Sequence, residues 1–263
     1  MPADPVYQAL PTLPLVGLAV RILASSLIGQ KRSFRKDAAW AVKSLAPPIR
    51  VYGLENFPGT RPCLVTMNHY SRPGTQGFWL ALGVSALAPV EITWVMTAAW
   101  SYTGQKRGII MRPIVRWFIG LISKTYGTLR LPSVPPVLGE EQERALAVRK
   151  VIRAVRAAPQ AILGLAPEGG DIPGGKLGWP PLGAGRLMLH LNRLGLPVLP
   201  VGINEEAGVF CLRFGAPYQL EVPDGLSSEE QDRQATRQVM GAIAGLLPQS
   251  MWGDFLPLQR DSR

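Results

Sequence analysis

The hydrophobic positions of the chain follow two different spacings. Short apolar runs bounded by turn residues predict buried strands, and longer stretches with an apolar residue every three or four positions predict helices. The predicted strands cover residues 49–53, 62–67, 91–96, 161–165, 197–201, 209–213 and 218–222. The predicted helices cover residues 33–44, 78–87, 112–123, 140–158, 183–194 and 228–247. Strands that alternate with helices predict an α/β fold with a mostly parallel sheet flanked by helices.

An apolar segment at residues 9–29 precedes this domain. Pro11, Pro14 and Arg21 interrupt it, whereas a transmembrane helix needs roughly 20 consecutive apolar residues. The pattern therefore favours a helix that lies in the membrane interface over one that crosses the bilayer. A helix packed on the core of the main domain is the alternative interpretation.

The chain is basic and rather apolar, with a formal net charge of +10, 47% hydrophobic residues and 17% charged residues. A basic surface suits nucleic acid and anionic lipid equally well by charge alone. The basic cluster from Lys31 to Lys36 follows directly on the apolar segment, which is typical of sequences that bind anionic headgroups. The chain also lacks a recognised nucleic-acid-binding motif. We therefore predict a helical, membrane-associating segment at residues 1–46, an α/β domain at residues 47–263, and no nucleic-acid partner.

The cysteines and the N-terminus indicate the compartment. Cys63 and Cys211 are too few for a disulfide framework, and Cys63 lies in a predicted buried strand. The sequence from Met1 to Asp4 lacks the basic region that begins a signal peptide. We therefore expect a peripheral protein on the cytoplasmic face of the cell membrane. Two Cys and two His at these spacings predict no metal site, and no cofactor is implied.

Two polar segments follow two of the predicted strands and carry the candidate chemistry. Asn68-His69-Tyr70-Ser71 follows the strand 62–67, and Pro167-Glu168-Gly169-Gly170 follows the strand 161–165. Open α/β sheets build their sites in the crevice at the carboxyl ends of the strands. The imidazole of His69 and the carboxylate of Glu168 are therefore expected to meet there. Each residue taken alone is more often structural, as a hydrogen-bonded histidine or an acid in a turn.

The glycine-rich loop also suggests a phosphate-binding loop, which the sequence argues against. Residues 170–176 formally match the pattern of Gly, four residues, then Gly-Lys. Leu177, however, replaces the Ser or Thr that would hold magnesium, and the prolines at 180 and 181 prevent the helix that would cradle phosphates. Nucleotide binding by this loop is therefore not expected.

The order of several such blocks resembles the glycerolipid acyltransferase family, typified by 1-acylglycerol-3-phosphate acyltransferase. The resemblance runs from about Arg50 to Ile203. Its blocks, in chain order, are Arg50 to Pro58, Asn68 to Ser71, the weaker Tyr126 to Arg130, Ala166 to Gly169, and Leu196 to Ile203. The four blocks other than Tyr126 to Arg130, found in the right order, are far more specific than any one of them.

The resemblance implies a reaction and a set of site residues. His69 would be the general base that deprotonates an acceptor hydroxyl or amine, which then attacks an acyl thioester carried by coenzyme A or acyl carrier protein. Glu168 would bind and orient a lysolipid-like acceptor, and Pro200 would shape the pocket wall. The remaining substrate-binding residues would be Asn68, Ser71, Arg72, Arg130 and Gly169.

Two positions depart from the family pattern. Gly74 stands where the family has an Asp that holds the histidine tautomer, and Asp171 stands where it has an Arg that binds the phosphate of the acceptor. Our hypothesis is an exchange, in which Asp171 orients His69 and Arg72 takes over part of the anion binding. The alternative is a degenerate, non-catalytic lipid-binding protein that keeps the fold.

Overall fold

The computed structural model describes residues 10–72, 77–97, 106–132, 139, 141–170 and 175–257, and gives only the backbone of residues 106–112. The strands are β1 Arg50–Tyr52, β2 Cys63–Met67, β3 Thr93–Thr97, β4 Leu129–Leu131, β5 Ile162–Leu165, β6 Val198–Glu206 and β7 Val209–Phe214. The helices are α1 Leu13–Leu27, α2 Phe34–Val42, α3 Phe78–Leu87, α4 Lys106–Tyr126, α5 Glu141–Ala157, α6 Ala184–Arg193 and α7 Ser228–Ala244.

The seven strands form one sheet in the order β1-β7-β6-β2-β5-β3-β4. Among the described residues, β6 and β7 form an antiparallel hairpin and the other neighbouring strands pair in parallel. The predicted mostly parallel α/β sheet is therefore confirmed. Strand β2 lies between β6 and β5, which places the residues after Met67 in the middle of the sheet edge.

Both faces of the sheet are buried. Cys63, Val65 and Met67 of β2 belong to the core shared with α2 and α3, whereas Leu64 belongs to the core shared with α6 and α7. Alternate residues of a strand point to opposite faces, so one strand contributes to both cores. A sheet covered on both faces explains why the central strands read as continuous apolar runs.

The predicted element boundaries hold for most of the chain, with four differences, of which the first is that β6 ends at Glu206 rather than at residue 201. Residues 218–222 do not form a strand, because Tyr218 forms only an isolated bridge with Val198. The next pair of the ladder would be Leu196 and Leu220, whose N–H groups donate to Leu191 and to the Asn192 side chain instead. Strand β4, with the short alternation Leu-Arg-Leu, was not predicted. Helix α4 begins at Lys106 and continues through Pro113 rather than starting beside it.

The N-terminal helices pack on the domain. Phe34, Ala38 and Ala41 of α2 lie in the core that also contains β2 residues, and Leu18 and Ile22 of α1 are buried. The outward face of α1 is also apolar, and its exposed large hydrophobic residues are Leu13, Val16, Val20, Leu23 and Leu27. Helix α1 therefore has one face against the protein and a second apolar face in solvent. No helix in the described ranges combines the length and the hydrophobicity that crossing a membrane would require.

A buried carboxylate ties these helices together. Asp37 of α2 accepts hydrogen bonds from Arg21 of α1 at 3.1 Å, from Arg32 at 2.7 Å through two nitrogens, and from the Tyr126 hydroxyl at 2.9 Å. Burial by itself raises the pKa of Asp37, but the hydrogen bonds from Arg32, Tyr126 and Arg21 outweigh burial and hold the pKa below its ordinary value. Asp37 is therefore an ionised centre that fixes α1 against α2 and the end of α4.

Candidate active site

His69 lies just beyond the carboxyl end of β2, in the loop that leads towards α3. Asn68 next to it is 1% exposed, and its side chain exchanges two hydrogen bonds with the main chain of Ile203 in β6. Asn68 Nδ2 donates to the Ile203 carbonyl at 2.9 Å, and the Ile203 N–H donates to Asn68 Oδ1 at 2.7 Å. The Asn68 side chain therefore extends the sheet pairing by one residue and fixes where the His69 loop begins. These contacts are structural, and the predicted substrate contact of Asn68 stays a prediction.

Glu168 joins the second loop to the first. Its carboxylate accepts the main-chain N–H of His69 at 2.5 Å through Oε2 and the main-chain N–H of Gly178 at 2.8 Å through Oε1. The residue is 4% exposed. Burial raises the pKa of Glu168 above its ordinary value, and the hydrogen bonds from His69 and Gly178 partly offset that rise. Both carboxylate oxygens accept main-chain N–H groups, so these contacts support a role in fixing the His69 loop. The expected contact of Glu168 with the acceptor stays a prediction.

The backbone conformation of this loop explains why glycine occupies two of its positions. Gly169 has a φ of 72°, a left-handed conformation that glycine adopts without strain, and its N–H donates to the Ala166 carbonyl at 3.0 Å. The tight turn presents Glu168 towards His69. Gly175 has a φ of 67°, and a Cβ there would lie 3.2 Å from the Ser71 carbonyl oxygen. The two loops therefore meet at two points, as expected from their strand-end positions.

The imidazole of His69 lies against the residue that precedes α3. A Cβ at Gly77 would lie 2.5 Å from Cε1 and 2.9 Å from Nε2 of His69. The space for the ring therefore depends on the absence of a side chain at Gly77. Gly77 was not among the predicted site residues. Its only signal was a glycine immediately before the predicted helix 78–87, which usually indicates no more than a turn.

Arg72 and Tyr70 both contact Glu205 near the end of β6. Arg72 Nε and Nη2 donate to Glu205 at 2.7 and 2.9 Å, and the Tyr70 hydroxyl donates to the same carboxylate at 3.0 Å. The side chains of Arg72 and Glu205 are 7% and 3% exposed. Glu205 occupies the Nε–Nη2 edge of the guanidinium, and the anion-binding role expected for Arg72 stays a prediction.

The remaining predicted site residues lie at different distances from His69. Pro200 is buried in β6 opposite Thr66 of β2, three residues before His69. Arg130 is exposed on the edge strand β4, three strand positions from β2, which corresponds to about 14 Å between strand axes. The structure therefore brings Pro200 close to the His69 loop and does not bring Arg130 there. Asp171 and Gly74 lie outside the described residues, so the proposed exchange stays a prediction.

The site is built from protein groups. Among the residues whose placement the structure describes, no group of three or more His, Cys, Asp or Glu side chains could hold a metal ion. The groups at hand are an imidazole, a buried carboxylate, main-chain donors and a buried Arg–Glu pair. An imidazole at a strand end can accept a proton from a hydroxyl or an amine, which is the first requirement of acyl transfer.

Comparison with known proteins agrees with this site. Curated protein sequences gave no match. Among solved structures, the crystal structure of the 1-acyl-sn-glycerophosphate (LPA) acyltransferase PlsC from Thermotoga maritima matches with a TM-score of 0.50 and 21% sequence identity, over 81% of this chain and 78% of that chain. At this identity the match shows a shared fold. A family model described as Acyltransferase matches residues 48–204, which is more than half of the chain and contains both loops of the site. The chain therefore belongs to the acyltransferase family.

Proposed function

We infer that the protein transfers a fatty acyl group from a thioester to a hydroxyl or amine of a lipid-like acceptor, with His69 as the general base. Membership of the acyltransferase family supports acyl transfer in general. The observation that carries the finer assignment is the hydrogen bond from the His69 main chain to Glu168. It joins the two motif loops at one point and holds the imidazole at the carboxyl ends of the strands, where α/β proteins bind their ligands.

The proposed reaction uses His69 twice. The imidazole takes the proton of the acceptor group, whose oxygen or nitrogen then attacks the thioester carbonyl carbon. The tetrahedral intermediate collapses as the carbon–sulfur bond breaks, and the imidazolium returns the proton to the departing thiolate. Glu168 acts through the main chain, because it keeps the His69 backbone in one position while the ring exchanges protons.

The proposed donor is acyl-coenzyme A or acyl-carrier protein, and the proposed acceptor is a lysolipid-like molecule. PlsC of Thermotoga maritima is described as an acyltransferase of 1-acyl-sn-glycerophosphate. Its similar fold supports an acceptor of the same general class here. The family Arg binds the phosphate of the acceptor, whereas the acidic Asp171 would repel a phosphate. Acceptors without a phosphate should therefore be tested together with acceptors that carry one.

A peripheral position on the cytoplasmic face of the cell membrane is part of the proposal. The apolar outer face of α1 is exposed to solvent, and Ile114 and Trp117 of the neighbouring α4 are also exposed. Exposed apolar patches of this kind mark interaction surfaces in soluble domains. The exposed Lys31 and Lys36 and the half-buried Arg35 follow α1 in the chain and would attract anionic headgroups.

The test is mass spectrometry of lipids after the purified protein is incubated with acyl-coenzyme A or acyl-carrier protein and a panel of lysolipids and amines. The expected result is one acylated product and stoichiometric release of thiol. The alternative is a non-catalytic lipid-binding protein, which Gly74 in place of the family Asp favours. Lipid binding without thiol release from any donor would establish that alternative.

A further inference from the structure

The loop that carries His69 is attached to β6 through every second side chain. Asn68 bonds the main chain of Ile203, and both Tyr70 and Arg72 bond the carboxylate of Glu205 two residues further along the same strand. Strand β6 therefore holds position 68 through its main chain and positions 70 and 72 through one side chain, while the His69 ring lies against Gly77.

The contact with Glu205 is rigid for three reasons. The guanidinium of Arg72 uses two nitrogens, which fixes its plane as well as its position. The side chains of the pair are almost fully buried, so water does not compete for these bonds. Phe210 of β7 lies opposite Glu205 in the hairpin. Its ring packs edge-on against the Tyr70 ring, with 6.1 Å between ring centroids, and the Arg72 guanidinium carbon lies 5.9 Å from the centroid of the Phe210 ring.

We propose that Glu205 is a positioning residue for His69, acting through Arg72 and Tyr70. The inference rests on the proposed function of His69 as the base. In the family pattern an Asp five residues after the His orients the ring, and here that position is Gly74. The Glu205 contacts instead fix the backbone on the C-terminal side of His69. Asn68 fixes the backbone on the N-terminal side, and Glu168 fixes it at His69 itself.

The neighbouring ion pair of Glu206 with Arg213 provides a matched control. It lies one residue along β6, its N–O distance is 2.6 Å, and it involves no residue of the His69 loop. Glu205→Gln and Glu206→Gln therefore each neutralise one acid of an ion pair on β6. The Glu206 pair is more exposed, and only the Glu205 pair reaches residues 70 and 72. Arg72→Met/Glu205→Gln removes both charges, so no unpaired charge is left buried.

Kinetics form the first part of the test. We expect Glu205→Gln to lower kcat at least about tenfold with KM little changed, since a small displacement of a catalytic group costs up to roughly 100-fold in rate. The double variant is expected to regain the parent thermal midpoint while kcat stays low, which a merely structural role would not produce. Glu206→Gln is expected to keep the parent kcat. Parent kcat in Glu205→Gln or in the double variant overturns the proposal.

Nuclear magnetic resonance of the imidazoles forms the second part and does not depend on turnover. The chain has two histidines, so the spectrum has two sets of ring signals, and His190 serves as an internal reference. We expect the His69 signals to shift in Glu205→Gln and in the double variant but not in Glu206→Gln. Unshifted His69 signals overturn the proposal, whereas a parent protein that transfers no acyl group overturns the proposed function. If the charge variants do not fold, Tyr70→Phe, which keeps the ring against Phe210, replaces them with the same two outcomes.

Discussion

The main-chain N–H of His69 donates a 2.5 Å hydrogen bond to the carboxylate of Glu168, 99 residues further along the chain. The bond crosses from the end of β2 to the end of the neighbouring β5. The second oxygen of Glu168 accepts the N–H of Gly178, so one buried carboxylate holds two separate loops. The position of the candidate base therefore depends on a side chain in the loop that follows another strand.

Glu168→Gln tests this dependence. Glutamine keeps the size of the side chain but places an NH₂ group opposite one of the two main-chain donors, so one buried N–H loses its acceptor. We expect the free energy of unfolding to fall by about 1–3 kcal/mol and kcat to fall at least about tenfold. Urea denaturation and steady-state kinetics measure the two effects. The exposed Glu221→Gln is the control, and parent values for both quantities in Glu168→Gln would show that the contact is dispensable.

His69→Ala tests the base itself. General base catalysis contributes about 10²- to 10⁴-fold, so acyl transfer should fall by at least 100-fold. The ring is half-buried and lies at the end of a strand, so the thermal midpoint should change little. His190→Ala in α6 is the control for loss of an imidazole elsewhere. Undiminished transfer by a folded His69→Ala protein would end the proposed mechanism.

The sequence predicted the parts of the site that local pattern controls. A buried strand followed by a polar loop is visible in the chain, so His69 and Glu168 could be placed at neighbouring strand ends before the structure was known. The amino-terminal cap of α7 was also predictable, and Ser227 forms a capping box with Glu230. In each case the signal lies within a few residues of the feature.

The contacts of Glu205 and Gly77 could not be predicted in that way. The predicted strand 197–201 ends where the apolar run ends, but β6 continues through Asn204, Glu205 and Glu206 because the hairpin partner β7 completes its hydrogen bonds. The polar residues therefore looked like a loop. Gly77 is informative only through the His69 ring that packs against it, a contact that depends on the fold.

Gly77→Ala is expected to move the His69 ring with little effect on the stability of the fold. Gly77 has a right-handed helical conformation, which alanine adopts readily, but it also caps α3, where glycine is preferred to alanine. The two effects oppose each other, so the free energy of unfolding should change by less than about 1 kcal/mol. The new Cβ would lie 2.5 Å from His69 Cε1, and the ring must shift. We expect kcat to fall at least about tenfold. Steady-state kinetics and a thermal melt measure the two changes.

Gly83→Ala in the same helix is the matched control for Gly77→Ala. A Cβ at Gly83 would lie 3.4 Å from Ile49 and 3.5 Å from Leu212, which are ordinary contacts. This variant should keep the parent kcat. Equal kinetics for Gly77→Ala and the parent would show that the His69 ring does not need the space next to Gly77.

Asp37→Asn is expected to loosen α1 from the domain. The substitution removes the buried charge that pairs with the partly exposed Arg21 and Arg32, which costs about 1–3 kcal/mol at neutral pH. The pKa of Asp37 is lowered in the folded protein, so its contribution is present above the ordinary pKa and is lost as pH falls through the lowered value. The stability difference between parent and variant should therefore shrink as the pH falls below about 4.

Urea denaturation of Asp37→Asn and the parent at pH 7 and at pH 3 measures this pH dependence. The exposed Asp254→Asn is the control, since it removes a carboxylate without touching α1. A constant difference between parent and Asp37→Asn at both pH values would contradict the assignment of Asp37 as the charged centre of the contact.

The exposed face of α1 is expected to bind anionic vesicles. Removing residues 1–36 would also remove Leu18, Ile22 and Phe34 from the core, so a deletion would confuse binding with folding. The triple variant Val16→Ser/Val20→Ser/Leu27→Ser changes only exposed side chains. Full burial of one such side chain in the membrane would contribute about 1.5–3 kcal/mol, and the three serines lose part of this for each residue. Vesicle binding should therefore weaken by roughly 100-fold, with the thermal midpoint unchanged.

Flotation with phosphatidylglycerol-containing vesicles measures the binding of the α1 variant. Leu146→Ser is the control, because Leu146 is exposed on α5, which packs on the other face of the sheet. Raising the salt concentration should weaken the binding of the parent as well, since Lys31, Arg35 and Lys36 act through screened charge. If the triple variant floats as well as the parent, the α1 face is not the contact, and the exposed Ile114 and Trp117 of α4 become the next surface to substitute.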